Sequence, residues 1–262
     1  MTLNPARLAR FSDWVHTLTP RPLPRTVVPV VGEYHLDYVM RLARANHLEF
    51  LQLCDALHDP GAYRDGRLRW KQTEQERLAA AAGQPLARIS RLYWPDRTTS
   101  FRDPTGFRRD LRPACRRCTA RHHAGAPIVC QLPAHVTVCR RHRLWIGPDV
   151  RSVAEQADLA DFPEYLTAQR RHQGLAQQHG YAATTAWRHA EAELHHRLTR
   201  HGATGDLRRR LARFAPGRCR GEHLHHPQVA VAVYPDLVGL TSKVLANHPD
   251  STHSVRKESR TR

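Results

Sequence analysis

Apolar side chains recur at helical spacing over several separate stretches of this chain, and glycine and proline residues lie between the stretches. Leu36, Val39 and Ala43 follow one another at intervals of three or four residues, as residues on one face of a helix do. This pattern predicts a helix that begins at Glu33 or Tyr34.

The segments around this helix lack the pattern. Residues 1–20 are predicted to form a flexible arm, and residues 20–31 are predicted to be extended because several proline rings fix φ there. A second short helix is predicted over residues 49–57, followed by a polar loop over residues 61–70.

A sharper local signal follows the loop. Thr73 and Glu76 have the spacing of a capping box, in which two side chains bond the free amides at the start of a helix. That helix is predicted to end at Gly83, which suits a left-handed cap. Pro85 then suits the first position of another helix, which Pro95 is predicted to end.

The two helices resemble a helix-turn-helix, since Ala79, Gly83 and Ile89 have the sizes and the spacing that a close helix crossing needs. The alternative is an ordinary pair of packed helices joined by glycine. Under the first interpretation, outward-facing residues of the second helix are candidates for DNA contact. They are Arg88, Ser90 and Arg91, with Ala87 beside them.

Helical spacing returns after Pro148. Predicted helices end at Gly180 and at Gly202, and a short basic helix is predicted over residues 206–214. Residues 227–247 are apolar, and their helical pattern is predicted to break at Pro235.

Four residues carry the clearest chemistry. Cys115 and Cys118 form a C-x2-C pair, and after twenty intervening residues Cys139 and His142 form a C-x2-H pair. Three thiolates and one imidazole suit a closed, tetrahedral, structural zinc site. The spacing therefore predicts one Zn²⁺ per chain, and the alternative is a set of free core thiols.

Other candidate ligands have less support. Cys130 has no neighbour at ligand spacing, and three histidines lie in loop or turn contexts, so all four are predicted to be structural or surface residues; these histidines are His122, His123 and His135. A second cluster could suggest another metal site, although a solvated loop is the preferred interpretation. It comprises Cys219, His223, His225 and His226.

These patterns predict a mainly α protein. A helical N-terminal region with helix-turn-helix-like hairpins precedes a small zinc-finger or ribbon module, and a helical C-terminal region follows. The predicted parts are a flexible arm, three domains and a disordered basic tail, over residues 1–20, 21–110, 111–147, 148–248 and 249–262.

The charge balance points to a polyanionic partner. Lysine and arginine number 41 against 24 acidic residues, a formal net charge of +17, and such an excess attracts nucleic acid. A merely soluble basic surface is the alternative, because the charges are spread along the chain. Around the cysteines, arginines are candidates for phosphate contact; those selected are Arg116, Arg117, Arg140 and Arg141.

Several function classes find no support in the sequence. It contains no phosphate-binding glycine loop, no nucleophile elbow, no H-E-x-x-H motif and no carboxylate trio, so no enzymatic activity is expected. No signal peptide is recognised, no membrane span is expected, and paired cysteines in a reducing compartment are typical of metal sites. A cytoplasmic protein is therefore expected.

Two stretches resemble the TniQ family of transposition proteins. The first has Pro24-Arg25 and Gly32-Glu33, then Arg41-Leu42-Ala43 and Asn46; the second has the two ligand pairs and Leu144-Trp145. A weaker mark is Tyr234-Pro235. Arg116 stands where the family often has proline, and neither a second C-x2-C after His142 nor a long C-terminal extension is present.

The resemblance implies an adaptor that helps to select target DNA. Such an adaptor binds double-stranded DNA or a DNA-bound partner and recruits a AAA+ transposition ATPase, which engages other transposition proteins. The alternative function is a stand-alone zinc-containing helix-turn-helix transcription regulator. A zinc enzyme would require an open coordination position, which four protein ligands do not leave.

Overall fold

A computed structural model describes residues 21–58, 70–95, 109–122, 127–148, 150–218 and 226–247. The chain divides into two compact units: unit 1 comprises residues 1–99 and 119–131, and unit 2 comprises residues 100–118 and 132–262. Several predictions concern residues outside the described ranges. They are the arm over 1–20, nearly all of the loop over 61–70, the tail over 249–262, His123, Cys219, His223 and His225.

The described residues are mainly helical, as predicted. In unit 1 the helices are α1 (His35–Ala45), α2 (Phe50–Leu57), α3 (Gln72–Ala82) and α4 (Leu86–Ile89). Contacts join α1 to α2, α2 to α3 and α3 to α4. Their apolar faces form one core, which includes Tyr38, Leu42, Leu53, Leu78 and Ile89.

The capping box of α3 lies two residues before the predicted one. The Lys71 backbone N–H donates to the Glu74 carboxylate, and the helix begins at Gln72. Thr73 and Glu76 lie inside the helix, because the side chain that reaches back to the cap is the third helical residue. Gly83 ends α3 in the left-handed conformation, with φ of +60°, as predicted.

The helix-turn-helix is not confirmed, because α4 is a single turn that ends at Ile89. Beyond it the backbone forms extended contacts instead. The Gly32 N–H donates to the Arg91 carbonyl oxygen (2.9 Å), and the Tyr93 N–H donates to the Glu33 carbonyl oxygen (2.7 Å). Residues committed to these bonds cannot continue a helix, so the predicted helix up to Pro95 is wrong.

Unit 2 combines short strands with long helices. The strands are β1 (Arg109–Pro113), β2 (Val129–Pro133), whose last two residues belong to this unit, β3 (Val138–Cys139) and β4 (Leu144–Trp145). A one-turn helix, α5 (Arg116–Thr119), follows β1. The long helices are α6 (Glu164–His179), α7 (Tyr181–His201), α8 (Gly205–Phe214) and α9 (Pro227–Asn247).

Helix α9 is the centre of unit 2 and contacts α6, α7 and α8. The predicted break at Pro235 is wrong, since one helix runs through it. Proline removes one N–H from the helix and frees the carbonyl oxygen of the residue four positions earlier, here Val231. The Tyr165 hydroxyl donates to that oxygen at 2.8 Å, so the helix continues without an unsatisfied acceptor.

The expectation that no segment approaches a membrane span also needs correction. Within the described residues, α9 has the length and the apolar composition of such a span. Half of its most apolar stretch is buried inside unit 2, and Arg210 of α8 forms an ion pair with Asp236 of α9. These contacts are those of a buried core helix.

Candidate metal centre and basic residues

The four predicted ligands come from two local elements of unit 2. Cys115 precedes α5 and Cys118 lies within it, so a single helical turn brings both thiols to one side. Cys139 ends β3 and His142 lies in the turn before β4. The β3–β4 hairpin is antiparallel and pairs Cys139 with Leu144.

The ligand atoms of these residues meet at one point, within 4.8 Å of one another. His142 Nδ1 lies 3.5 Å from Cys115 Sγ, 3.2 Å from Cys118 Sγ and 3.8 Å from Cys139 Sγ. The Sγ atoms of Cys118 and Cys139 are 3.7 Å apart. In the described part of the chain, no other group of three or more such side chains is placed to hold a metal ion.

These distances fit a tetrahedrally coordinated ion. Metal–sulfur bonds of about 2.3 Å and metal–nitrogen bonds of about 2.05 Å give tetrahedron edges of about 3.8 Å between sulfurs and about 3.5 Å between sulfur and nitrogen. The observed separations scatter around those values. The Cys3His cluster can therefore bind one metal ion with its own side chains.

Hydrogen bonding between the thiols shifts the pKa values of Cys115 and Cys139 in opposite directions. The pKa of Cys139 is lowered to about 4, chiefly by the hydrogen bond from Cys115 and against the opposing effect of burial, with the His142 backbone N–H contributing to the decrease. The same pairing with Cys139 raises the pKa of Cys115, and burial adds to this effect. Cys115, Cys118 and Cys139 would hold a divalent cation as thiolates, with His142 as the fourth ligand, and their protons would be released on binding.

A tight turn holds the second ligand pair. The Arg143 N–H donates to the Cys139 carbonyl oxygen at 2.7 Å, and Arg143 has φ of +50°. This left-handed conformation favours glycine, and a side chain such as arginine occupies it at a cost in free energy. The turn is therefore strained at the residue that follows His142.

Two buried glutamines, which sequence reasoning missed, hold the segments that carry the ligands. Gln156 accepts the Arg116 N–H (2.9 Å) and donates to the Ala114 carbonyl oxygen (2.8 Å). Gln169 accepts the N–H groups of Thr137 (2.9 Å) and Val138 (2.8 Å). Neither glutamine has a motif spacing, so no local sequence signal could have identified these contacts.

The predicted DNA-contacting arginines of this region fall into two groups. The Arg116 guanidinium donates to the Val153 carbonyl oxygen at 2.8 Å, and Arg117, half exposed, pairs with Asp158 at 2.9 Å. Both therefore have structural partners. Arg140 and Arg141 are exposed in the turn between Cys139 and His142.

The predicted contacts of unit 1 are exposed as expected. Arg88 lies on α4 and donates to the Gln84 side chain at 3.1 Å, while Ser90 and Arg91 follow the helix on the surface. Their exposure is compatible with a partner surface, although the helix predicted to carry all three ends before the last two.

The competing ligands lie elsewhere or have other contacts. Cys130 is buried in unit 1, where it pairs through its backbone with Glu33, and burial raises the pKa of its thiol to about 12. His135 belongs to unit 2 but is outside the ligand group, and its carbonyl oxygen accepts the Gln169 side-chain amide at 2.7 Å. His226, of the second cluster, accepts the Gln228 N–H at 3.2 Å.

The chain was compared with protein-family models, with curated proteins and with solved structures, and none of them matched.

Proposed function

We propose that this protein is a TniQ-like adaptor of DNA transposition, which helps to select target DNA and recruits a AAA+ ATPase. The observation that carries the proposal concerns the motif of the resemblance. Within unit 1 the polar residues of this motif form two contacts, one between Glu33 and Arg41 and one between Asn46 and the Arg25 backbone. Both contacts involve α1 or the residue that follows it. Contacts that tie these residues to one helix and to the segment before it support treating them as one motif.

The first pair is a buried ion pair. Glu33 is fully buried and Arg41 is 8% exposed, and two guanidinium nitrogens donate to the two carboxylate oxygens at 2.8 Å each. Glu33 also accepts the Val30 N–H at 2.9 Å. Such bidentate geometry fixes the start of α1 against the preceding extended segment.

The second pair joins the end of α1 to the proline-rich lead, the segment over residues 20–31. Asn46 accepts the Arg25 N–H at 2.9 Å and donates to the Arg25 carbonyl oxygen at 2.8 Å. The same amide donates to the Leu42 carbonyl oxygen at 2.9 Å, near the end of the helix. The asparagine thus satisfies backbone groups that the lead would otherwise leave to solvent.

We propose zinc as the metal of the Cys3His centre, with a structural role. Three thiolates and one imidazole are a preferred zinc ligand set, and a site with four protein ligands leaves no position for water or substrate. The protein is accordingly proposed to be a non-catalytic adaptor. Reduced cysteines in such a site suit the cytoplasm.

We propose that DNA is contacted by exposed arginines. Arg140 and Arg141 project from the metal-site turn, in a chain with a net charge of +17. Contacts of this kind bind phosphate regardless of base sequence and depend steeply on salt. Affinity should therefore be modest and similar for different DNA sequences.

Reconstitution tests the proposal. The purified zinc-loaded protein is mixed with a AAA+ transposition ATPase from the same source, on random DNA and on candidate target DNA. Co-assembly on DNA is expected, and absence of a complex under every DNA condition would overturn the adaptor function. R140A/R141A should weaken DNA binding about tenfold and flatten its salt dependence, whereas R200A, at an exposed site on α7, should not.

The transcription-regulator alternative receives less support, because the four-residue α4 is too short for a recognition helix. Substitution of Arg88 and Arg91 with alanine distinguishes the two. Loss of preference for one operator in R88A/R91A would favour the regulator. A uniform loss of affinity, or none, agrees with the adaptor.

A further inference from the structure

The cysteines of this protein differ in their access to solvent. Among those in the described ranges, Cys54, Cys115 and Cys130 are buried, whereas Cys118 and Cys139 are partly exposed. A small oxidant dissolved in water therefore reaches two sulfurs of the Cys3His cluster and not the third. Susceptibility of a cysteine to oxidation follows its exposure and its thiolate character, and a metal ligand is a thiolate.

The two accessible sulfurs are also neighbours. Cys118 Sγ and Cys139 Sγ lie 3.7 Å apart. A disulfide bond is about 2.05 Å long, so the two sulfurs must approach each other by about 1.7 Å. Cys118 lies on the one-turn helix α5 and Cys139 ends the two-residue strand β3, so neither sulfur is carried by a long element.

Cys115 is disfavoured as a partner for either of these sulfurs. It is only 4% exposed, and the buried Gln156 side chain fixes the backbone on both sides of it. Gln156 donates to the Ala114 carbonyl oxygen at 2.8 Å and accepts the Arg116 N–H at 2.9 Å. Oxidation should therefore join Cys118 to Cys139 and leave Cys115 as a thiol.

We propose that Cys118 and Cys139 form a redox-sensitive modification site, at which a peroxide converts the two thiolates into a disulfide and the bound metal is released. The inference rests on the zinc centre proposed above but not on a role in transposition. The disulfide leaves only Cys115 and His142 as ligands, which is too few to retain the ion. The two exposed arginines between Cys139 and His142 then lose the metal that fixes their turn.

The reaction is balanced with hydrogen peroxide as the oxidant. One thiolate attacks a peroxide oxygen and becomes a sulfenic acid, while the O–O bond breaks and the departing hydroxide takes up a proton to form water. The other thiolate attacks the sulfur of the sulfenic acid, whose hydroxide leaves and is protonated to a second water. The two sulfurs together lose two electrons, which the peroxide gains. A dithiol reductant returns both sulfurs to the form that binds zinc.

Peroxide treatment of the full-length, zinc-loaded protein tests the site. A chromogenic chelator follows the release of zinc, and free thiols are blocked before tryptic digestion and mass spectrometry. Arg116 and Arg117 separate Cys115 from Cys118 in the digest, so the paired cysteine is identified directly. We expect a disulfide between Cys118 and Cys139 that forms together with the release of one zinc per chain. Dithiothreitol and added zinc should restore the loaded protein.

Two other cysteines are removed in a parallel digest. Cys130 shares a tryptic peptide with Cys139, and Cys219 lies outside the described residues. The variant C130A/C219S is therefore treated beside the wild type. The same disulfide is expected in both proteins.

Two histidine substitutions form a matched pair, because histidine supplies a nitrogen ligand for zinc and cannot form a disulfide. C118H removes one accessible sulfur and should release zinc at least about tenfold more slowly under peroxide than the wild type. C115H keeps both accessible sulfurs and should release zinc within about threefold of the wild-type rate. Both variants have two cysteines and two histidines as ligands, so a difference between them reports which sulfur reacts. Zinc content before treatment verifies the loading of each.

Several outcomes would overturn the modification site. Retention of zinc under a peroxide excess, or a disulfide that contains Cys115, would contradict the assigned pair. Equal release from loaded C115H and C118H would mean that access to the sulfurs does not decide the reaction. If a histidine variant binds no zinc, the disulfide mapped in the wild type decides alone. Absence of zinc from the untreated protein would instead refute the zinc centre and, with it, this inference.

Discussion

The Tyr165 hydroxyl lies 2.8 Å from the carbonyl oxygen of Val231 and donates a hydrogen bond to it. That oxygen is the acceptor that Pro235, four residues later in α9, cannot satisfy. A side chain of α6 thus replaces the missing helical bond, and both residues are buried in the core of unit 2. The contact explains how a proline is accommodated in the central helix of this unit.

The loss of stability on removal of the Tyr165 hydroxyl should therefore depend on whether Pro235 is present. We expect Y165F to lower the free energy of unfolding by about 1–2 kcal/mol, because the Val231 oxygen becomes buried without a partner. In a P235A background the helix regains its own N–H donor, so the same substitution should cost clearly less. Urea unfolding of the four proteins of this double-mutant cycle measures the difference. Equal costs in both backgrounds would contradict the proposed replacement.

Each cysteine of the Cys3His cluster is predicted to be necessary for zinc binding. We expect one zinc ion per purified chain, and C115S or C139S should lose it, because three remaining ligands hold the ion too weakly to fold the surrounding segment. Elemental analysis and thermal unfolding measure the loss. C130A is the matched control, since Cys130 is a buried thiol in unit 1 and should leave the zinc content unchanged. Full zinc content in C115S would contradict the ligand assignment.

Strain at Arg143 predicts a stabilising substitution. Because this residue has φ of +50°, R143G should raise the free energy of unfolding by about 1 kcal/mol. R143A removes the same side chain but keeps a Cβ in the left-handed region, so it should bring no such gain. Chemical unfolding of the zinc-loaded variants compares them. Equal stability of the two variants would show that the backbone conformation costs little.

The buried His172 predicts a pH dependence of stability. Burial lowers the pKa of its imidazole to about 3, and the neighbouring His135 adds to the effect. In the unfolded chain the histidine pKa is about 6.5, so His172 is protonated there at pH values at which it stays neutral in the folded chain. Stability is therefore lost as the pH falls below about 6.5. Between pH 7.5 and pH 5, this group should cost about 2 kcal/mol.

Substitution isolates that contribution. H172F keeps the stacking on Trp187, whose ring lies parallel at 4.6 Å, but removes the titrating group. Its free energy of unfolding should fall less between the two pH values than that of the wild type. H196F, at an exposed site on α7, should retain the wild-type dependence. Zinc content is measured at each pH, because the difference between variants is meaningful only at equal metal loading.

Local pattern was sufficient for much of the architecture. Helical periodicity predicted α1, α2 and the long helices of unit 2, and the glycine that ends α3 was identified by its conformational freedom. The cluster of Cys115, Cys118, Cys139 and His142, which can bind a metal ion, was also predictable, because two residues separated by two others share one side of a turn whatever surrounds them. These features depend on neighbours in sequence.

Two of the errors, at the end of α4 and at Pro235, arose where distant segments compete for the same backbone groups. Bonds between Tyr93 and Glu33 end the second helix of the predicted hairpin, and Tyr165 allows α9 to pass through Pro235. No local pattern contains either partner.

By itself, the sequence determined which segments become helices and which side chains can bind a metal, since both depend on spacing along the chain. The tertiary structure alone decided that α4 ends at Ile89 and that α9 continues through Pro235. It also decided which arginines keep structural partners and how Gln156 and Gln169 hold the metal-site backbone. The physical reason is that a buried polar group must find a partner, and for these groups the partner lies tens of residues away.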